Sequence, residues 1–312
     1  MPSRRTALLA VGGINLIWAG TYVAGKAALD TIPFVVLNGL RFGLAAVVVA
    51  PLVWRNRGVL PRDRTGRLRL LGIALFGFVG NKALEFLGLS MTTATDTALL
   101  ITAESLATLL LAVLVLGDRL RLSTALALSV GTVGVYVLVE GGLVAPHLPR
   151  GPQGTGDALV VVSLLLEAVA TISGAALLSG SRGGFTITGA AVIIGALVWV
   201  PVNGIRALAG GGLPHPTAAG WLGVVYLAVF TTVIAYGGWF WALQRLSAQD
   251  VTPLLLIQPV AGTLIAALVR GERPGGATVA GGGLVLAGVA MVGLRRDVPA
   301  IEEPLLTVPE AP

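Results

Sequence analysis

The chain has 312 residues, of which 55% are hydrophobic and only 12% charged, against roughly 25% charged in an average soluble domain. Together with a mean hydropathy of +0.89, this predicts an integral membrane protein rather than a water-soluble globular domain. The formal net charge is +6, but the densest basic run, 55–69, lies between two apolar segments and contains no aromatic residue. We therefore expect topology, and not a nucleic-acid partner, to explain the basic residues.

The sequence predicts an all-α integral membrane fold with ten transmembrane helices. Each apolar stretch comes near the ~20 residues that a helix needs to cross the hydrocarbon of a bilayer. Gly, Pro, Arg and Asp separate the stretches, as is typical of turns. The predicted spans are 7–28, 34–54, 70–90, 96–116, 122–140, 157–178, 186–205, 218–241, 251–270 and 277–294.

Lys and Arg are distributed unevenly between alternate loops, which predicts the orientation of the chain in the inner membrane. One side of the membrane carries a large excess of Lys and Arg, so we expect that side to face the cytoplasm. Both termini of this multi-pass protein lie on the same side and are therefore predicted to be cytoplasmic. That side holds Arg4, Arg5, the run 55–69, Arg119, Arg121, Arg182, Arg245, Arg295 and Arg296, and the other holds Lys26, Arg150, Arg206, Arg270 and Arg273.

Two halves of the chain resemble each other. The turn Gly117–Arg119 after helix 4 recurs as Gly271–Arg273 after helix 9, and Gly134–Val135 recurs at the same offset as Gly288–Val289. Each repeat has five predicted spans. Because five is an odd number, the second repeat starts on the opposite side of the membrane and is inverted relative to the first. Inverted repeats are the architecture of many alternating-access carriers, with the substrate site between them.

The repeats define the domain organisation. Residues 1–140 form the first five-helix repeat, and 157–296 form the second. A Gly- and Pro-rich linker, 141–156, joins them. The tail 297–312 contains glutamates and several prolines, a composition that predicts a disordered acidic segment.

Polar and charged residues inside the predicted spans are the candidate site. A charged side chain in the middle of a helix costs at least about 2.5 kcal/mol on insertion scales, so each one needs a partner, water or a function. Counting inward from the helix ends places most of these residues between the membrane midplane and the outer side, where one hydrated cavity can hold them all. The predicted cavity residues are Trp18, Tyr22, Arg41, Asn81, Lys82, Glu85, Glu104, Glu167 and Gln258.

Each charged candidate has a functional and a structural interpretation. Glu104 or Glu167 either binds a proton or a cationic substrate group, or forms a structural ion pair with Arg41 or Lys82. Lys82 and Glu85 stand three residues apart on one helix face, so they can neutralise each other.

The remaining candidates leave the same two interpretations open. Arg41 either binds a substrate carboxylate or braces helix 2 through backbone carbonyls. Trp18 is either a substrate platform or part of the packing.

At these residues the chain resembles the EamA-type branch of the drug/metabolite transporter superfamily, from about residue 7 to 294. The resemblance is carried by Trp18, Arg41–Phe42, Gln258–Pro259, the two Gly-acidic-Arg turns and the Gly-rich helices 5 and 10. It implies a secondary transporter that exports small metabolites, such as amino acids, across the inner membrane. The sequence departs from the family pattern at Glu104 and Glu167, both of which fall in the predicted cavity.

Other functional classes are disfavoured. The chain has no cysteine, and we find neither a phosphate-binding glycine motif at a suitable junction nor a cluster of metal ligands. We therefore expect no enzyme activity, no cofactor and no metal; the expected partners are a small-molecule substrate, the lipid bilayer and protons. A passive facilitator is the alternative to a coupled carrier, and a membrane-embedded enzyme or a non-transporting receptor or scaffold comes after it.

Overall fold

The computed structural model describes residues 4–92, 94–116, 121–140, 151–178, 183–211, 214–270 and 276–293, which are mostly helical with no strand among them. The helices are α1 Arg4–Leu29, α2 Phe34–Arg55, α3 Arg64–Met91, α4 Ala94–Leu116, α5 Leu122–Glu140, α6 Gly151–Leu178, α7 Gly184–Leu208, α8 Ala218–Leu243, α9, which joins Ala248–Val251, Thr252–Leu256 and Ile257–Arg270, and α10 Gly276–Gly293.

Six of these helices are long and apolar enough to cross a membrane, namely α1, α2, α3, α6, α7 and α8. Shorter apolar stretches occur at Glu104–Val115, Leu122–Val137 and Val279–Met291. Large apolar side chains such as Leu208 and Leu9 are exposed on the outside of the bundle, as expected for a surface in contact with lipid. The all-helical multi-pass fold is confirmed, whereas the count of ten spans and the inversion of the second repeat stay predictions.

Some predicted boundaries differ from the observed helices. The third helix begins at Arg64 rather than at residue 70, because the Asp63 carboxylate accepts a hydrogen bond from the Gly66 amide (2.8 Å) and caps the helix before the apolar run starts. The sixth helix begins at Gly151, so residues 151–156 of the predicted linker are helical. The rest of that linker, the tail 297–312 and the Gly-acidic-Arg turns lie outside the described residues.

Four helices depart from regular α-helical form over part of their length. A turn at Gly20 separates Arg4–Ala19 from Thr21–Leu29 within α1. The segments Ile73–Gly80 of α3 and Tyr226–Ala235 of α8 are π-helical, and Thr252–Leu256 of α9 is a 3₁₀-helix. Irregular helical turns inside a membrane protein are tolerated where neighbouring groups satisfy the backbone, and they are frequent at functional sites.

Tryptophan side chains hydrogen-bond to backbone carbonyls in both π-helical segments. The Trp199 indole N–H of α7 donates to the Phe78 carbonyl of α3 at 2.9 Å. The Trp18 indole N–H of α1 donates to the Thr231 carbonyl of α8 at 3.4 Å. Each contact connects the first five helices to the last five, so the irregular segments help to hold the two halves together.

Gly20 allows α1 and α8 to approach closely. The Tyr226 hydroxyl of α8 donates to the Ile17 carbonyl at 2.6 Å. A Cβ atom at position 20 would come closer than van der Waals contact to the Tyr226 hydroxyl and ring. The chain therefore needs glycine here so that the Tyr226 ring can lie across the break in α1.

An ion-pair cluster joins the two halves at the end of the molecule where α1 begins. The Asp250 carboxylate, which precedes the predicted ninth span, lies 3.3 Å from an Arg4 nitrogen and 3.0 Å from an Arg121 nitrogen. The Ser247 hydroxyl also donates to Asp250 at 2.7 Å. Burial raises the pKa of Asp250, but the Ser247 hydrogen bond and the charges of Arg121 and Arg4 outweigh burial and hold the pKa below its usual range.

The Gly20→Ala substitution should destabilise the protein, since the added methyl group forces the Tyr226 ring to move. Overpacking of this kind typically costs about 1–3 kcal/mol. The matched control is Gly13→Ala in the same helix, where a Cβ meets nothing within 4 Å and a neutral or slightly stabilising effect is expected. Thermal unfolding in detergent measures both variants; equal melting temperatures would contradict the assigned contact.

Asp250→Asn should lower the melting temperature at pH 7 by about 2–6 °C, because two arginines lose their shared partner. The lowered pKa in the folded state means that the wild-type carboxylate contributes stability above its unfolded pKa of about 3.9 and loses it as the pH falls. The wild-type and variant curves should therefore converge as the pH falls towards and below that value. A difference that persists unchanged at low pH would show that charge is not responsible.

Candidate functional site

One cavity in the middle of the bundle is lined by every residue of the predicted set. The first half contributes side chains from α1, α2, α3 and α4, and the second half contributes side chains from α6, α8 and α9. The cavity therefore lies between the halves. Its lining residues are Trp18, Thr21, Tyr22, Arg41, Asn81, Lys82, Glu85, Glu104, Leu164, Glu167, Tyr236, Trp239 and Gln258.

The irregular helix segments position these side chains. Thr21 directly follows the break in α1, and Asn81 directly follows the π-helical segment of α3. Tyr236 directly follows the π-helical segment of α8, and Gln258 follows the 3₁₀-helix of α9 by two residues. A change of helical pitch rotates the residues after it, which directs these polar and aromatic groups to the cavity in otherwise apolar helices.

Lys82 lies at the centre of an ionic network. Its Nζ is 2.5 Å from Glu85 Oε2 on the same helix and 3.4 Å from Glu167 Oε2 on α6. The Tyr236 hydroxyl donates a hydrogen bond of 2.9 Å to the same Glu167 oxygen. Lys82 also lies 5.3 Å from the centre of the Tyr236 ring, within the range of a cation–π contact. The structural ion pair that the sequence allowed for Glu167 is thus present, with Lys82 as its partner.

Glu104 has a different environment. Its side chain is buried and lines the cavity. It makes no hydrogen bond or ion pair within the part of the chain that the structure describes. The charges of Glu167, Lys82 and Glu85 act on it across the cavity. Glu104 is therefore a buried carboxylate whose oxygens are available to a ligand.

Arg41 is held by hydroxyl groups and not by the carbonyls that the sequence interpretation considered. Its Nε donates to Thr232 Oγ1 at 2.7 Å, and its Nη2 donates to Thr231 Oγ1 at 3.2 Å. The guanidinium also lies 5.3 Å from the Phe86 ring centre. Its Nη1 is buried with no hydrogen-bond partner among the described residues. A fixed guanidinium with one unused nitrogen is suited to binding an anionic oxygen.

Aromatic side chains form one wall of the cavity. Trp18 contacts Tyr236 and Trp239, with ring centroids 5.1 and 5.4 Å apart. Trp18 therefore serves packing and cavity lining at once, while its role as a substrate platform stays a prediction. Tyr22 is buried on the same helix and also lines the cavity.

Two amide side chains fix the remaining polar contacts. Asn81 Nδ2 donates to the Ser163 carbonyl of α6 at 2.7 Å, while its Oδ1 is buried with no partner among the described residues. Gln258 Nε2 donates to Asn15 Oδ1 at 2.9 Å and thereby ties α9 to α1. Asn81 thus adds a hydrogen-bond acceptor to the cavity.

The cavity is contracted in this conformation. Its free volume of about 30 Å³ has room for about two water molecules and is too small for a metabolite. Ligand entry therefore requires the walls to separate. No group of three or more metal-ligating side chains occurs among the described residues.

Sequence reasoning missed four cavity residues: Thr21, Leu164, Tyr236 and Trp239. Tyr236 and Trp239 stand three residues apart, a spacing that places both on one face of α8. That spacing could have identified both residues as cavity candidates from the sequence. Leu164 carries no such signal, since one leucine in an apolar helix resembles any other.

Comparison with known proteins identifies the fold and the family. A crystal structure at 22% sequence identity superposes with a TM-score of 0.73 over 94% of this chain and 99% of that chain. An uncharacterised transporter of Archaeoglobus fulgidus is 26% identical over 89% of this chain and 95% of its own length.

Two bacterial relatives have more specific descriptions. A probable amino-acid metabolite efflux pump of Salmonella typhimurium is 27% identical over 92% of this chain and 94% of its own length. A protein of the same description from Escherichia coli is 25% identical over 94% of this chain and 97% of its own length. The EamA-like transporter family matches residues 5–140 and 154–294, which is nearly the whole chain. The resemblance noted in the sequence is confirmed: the protein is a multi-pass membrane transporter that belongs to the EamA-like transporter family.

Proposed function

We propose that this protein is a secondary transporter that exports small zwitterionic metabolites, such as amino acids, by alternating access through the central cavity. The observation that carries the proposal is the presence of two unused groups of opposite charge in one buried cavity. Glu104 lines the cavity and makes no hydrogen bond or ion pair among the described residues. Nη1 of Arg41 is buried and has no hydrogen-bond partner among them either. A ligand with both an ammonium and a carboxylate group satisfies both.

Each end of the zwitterion has a binding group of suitable chemistry. The ligand carboxylate accepts a charge-assisted hydrogen bond from Arg41, whose other nitrogens are fixed by Thr231 and Thr232. The ligand ammonium donates to Glu104 and to the unused Oδ1 of Asn81. Burial of charged groups strengthens both contacts relative to water.

The charge balance of the cavity supports an exchangeable proton at one carboxylate. The lining contains the carboxylates Glu85, Glu104 and Glu167 and the cations Arg41 and Lys82. When all are ionised, one negative charge is left uncompensated. A proton at Glu104 compensates it, whereas a zwitterionic ligand adds one charge of each sign and leaves the net charge unchanged. Competition between the proton and the ligand ammonium at this one carboxylate couples substrate export to proton entry.

Orientation and direction are part of the proposal. The excess of Lys and Arg on one side favours cytoplasmic termini in an inner membrane. The bacterial relatives described as efflux pumps support export as the direction of transport. The cavity between the halves and the irregular segments in α3 and α8, the third helix of each half, support the inverted-repeat architecture.

A passive facilitator uses the same cavity without coupling. Glu104 is the observation that favours coupling, since a buried carboxylate with no partner among the described residues is costly unless it exchanges a proton or a ligand.

Ligand analogues test the proposed substrate class. Proteoliposomes loaded with a proteinogenic L-amino acid should show flux, whereas the matched decarboxylated amine and the matched deaminated acid should each be transported at least about tenfold more slowly. Each analogue leaves one buried charge of the cavity without its partner. Arg41→Gln should abolish the preference for the zwitterion over the amine. If the amine and the acid are transported as fast as every amino acid tested, the proposed zwitterionic substrate class is wrong.

Neutral variants distinguish the two carboxylates. Glu104→Gln should leave thermal stability close to the wild-type value but remove the dependence of transport on an imposed pH gradient, because the amide cannot exchange a proton. Glu167→Gln should be destabilised by about 1–3 kcal/mol, because the buried Lys82 ammonium and Tyr236 hydroxyl lose a charged acceptor while Lys82 keeps Glu85. Wild-type pH dependence in a stable Glu104→Gln variant would reject proton coupling at this residue and leave a facilitator as the better description.

A further inference from the structure

A second cavity lies between α2 of the first half and α7 and α8 of the second, away from the central cavity. Its free volume is about 380 Å³, more than ten times that of the central cavity, and falls within the roughly 300–1,000 Å³ of small-molecule sites. We call it the lateral groove. The lining residues that matter here are Val36, Leu40, Val200, Asn203, Arg206 and Trp221.

The lateral groove extends from the membrane surface into the hydrocarbon. Its upper end is formed by residues near helix ends: Arg206 lies two residues before the end of α7, and Trp221 lies in the first turn of α8. Arg and Trp at the ends of spanning helices are typical of the level of the lipid head groups. Val200 lies six residues deeper on α7, which is about 9 Å along a helix. One end of the groove therefore meets head groups and the other meets acyl chains.

The deep part of the lateral groove is apolar and open to the lipid-facing surface. Val36 and Leu40 of α2 form one side, and Val200 of α7, which is 49% exposed, forms the other. The groove continues into the outer surface of α7, where Ile205 and Leu208 are 66% and 91% exposed. An acyl chain has the chemistry that fits this part of the groove.

The upper part of the lateral groove carries polar donors. The Asn203 amide lies against α2 at Gly39, where a Cβ atom would come within 2.7 Å of Nδ2. Asn203 makes no hydrogen bond or ion pair with any residue that the structure describes, and an amide in apolar surroundings is costly without a partner. Arg206 is the only charged residue among the described residues that line the groove. The upper part is thus suited to an anion and to a neutral acceptor.

We infer that the lateral groove is a binding site for one molecule of an anionic phospholipid, such as phosphatidylglycerol. The phosphate lies on the Arg206 guanidinium, whose planar donors match a phosphate group. An ester carbonyl accepts a hydrogen bond from Asn203, which is three residues away on the same helix face. One acyl chain follows Val36, Leu40 and Val200 into the membrane, while the second chain stays in the bilayer.

This site goes beyond the proposed function and does not depend on the identity of the substrate. The bound lipid would contact both halves of the protein, because α2 belongs to the first half and α7 and α8 to the second. Ordinary bilayer lipid that fills the groove without selectivity makes a different prediction. In that case neither the charge of the head group nor Arg206 affects occupancy.

A single thiol in the groove measures occupancy. Because the chain has no cysteine, Ala207→Cys places the only thiol among the lining residues. In maltoside detergent, dioleoyl phosphatidylglycerol should slow its alkylation by a water-soluble maleimide at least about fivefold and in a saturable manner. Dioleoyl phosphatidylethanolamine should need at least about tenfold higher concentration for the same protection, since it carries no net charge. Leu208→Cys, the neighbouring thiol outside the groove, is the matched control and should not be protected.

Second substitutions in the Ala207→Cys background test the two parts of the site. Arg206→Gln should raise the concentration of phosphatidylglycerol for half-protection at least about tenfold and remove the preference over phosphatidylethanolamine. Gly204→Leu should abolish protection, because a Cβ there meets nothing within 4 Å and the added side chain occupies the groove. Arg245→Gln removes an exposed arginine at the opposite end of α8 and should change nothing.

Several results would overturn the lipid site and leave the proposed function intact. These are equal protection by the two lipids, unchanged protection in Arg206→Gln, and equal protection of the Ala207→Cys and Leu208→Cys thiols. Protection by an L-amino acid and not by phosphatidylglycerol would assign the groove to the transport path instead. Should Arg206→Gln not fold, the comparison of the two lipids on Ala207→Cys decides the matter alone.

Discussion

Buried charge in a low-dielectric environment is the constraint on which the rest of this structure depends. Five acidic or basic side chains line a cavity with room for about two water molecules, and each needs a partner of opposite charge or a hydrogen-bond donor or acceptor. Lys82, Glu85 and Glu167 satisfy one another, and Arg41 is held by two threonine hydroxyls. Glu104 and one Arg41 nitrogen are the exceptions, and these exceptions indicate what the cavity binds.

The helices are adapted to this constraint. Regular α-helices would present an apolar surface to one another in the middle of the bundle. Instead, α1, α3, α8 and α9 change their helical form beside the cavity, and tryptophan N–H groups satisfy carbonyls in both π-helical segments. Away from the cavity, helices pack on each other through small residues. The helices α5 and α10 approach through Gly134 and Gly288, and none of their described side chains lines the cavity.

Much of the fold and of the cavity lining could be predicted because both depend on contrasts in polarity along the sequence. Apolar runs located the described helices. Seven charged or amide residues and two aromatic residues within those runs located nine of the cavity residues. Helix starts were less predictable, since the Asp63 cap acts outside the hydrocarbon where hydropathy gives no signal.

Partners could not be predicted from sequence, because Lys82 and Glu167 meet only in the tertiary structure, 85 residues apart in the chain. The hydroxyls that hold Arg41 were equally hidden, since threonine is common in apolar helices. The π-helical segments could not be predicted either, because their sequences do not differ from those of ordinary apolar α-helices. These features decide which charges are satisfied and which are available, and so they decide the proposed function.

A structure with a bound amino acid tests the central claim most directly. Cryo-electron microscopy or crystallography of the protein with the L-amino acid that it transports fastest should show the ligand ammonium within hydrogen-bond distance of Glu104 and the ligand carboxylate on Nη1 of Arg41. Ligand density elsewhere in the bundle, or in this cavity with both groups directed away from Glu104 and Arg41, would contradict the account.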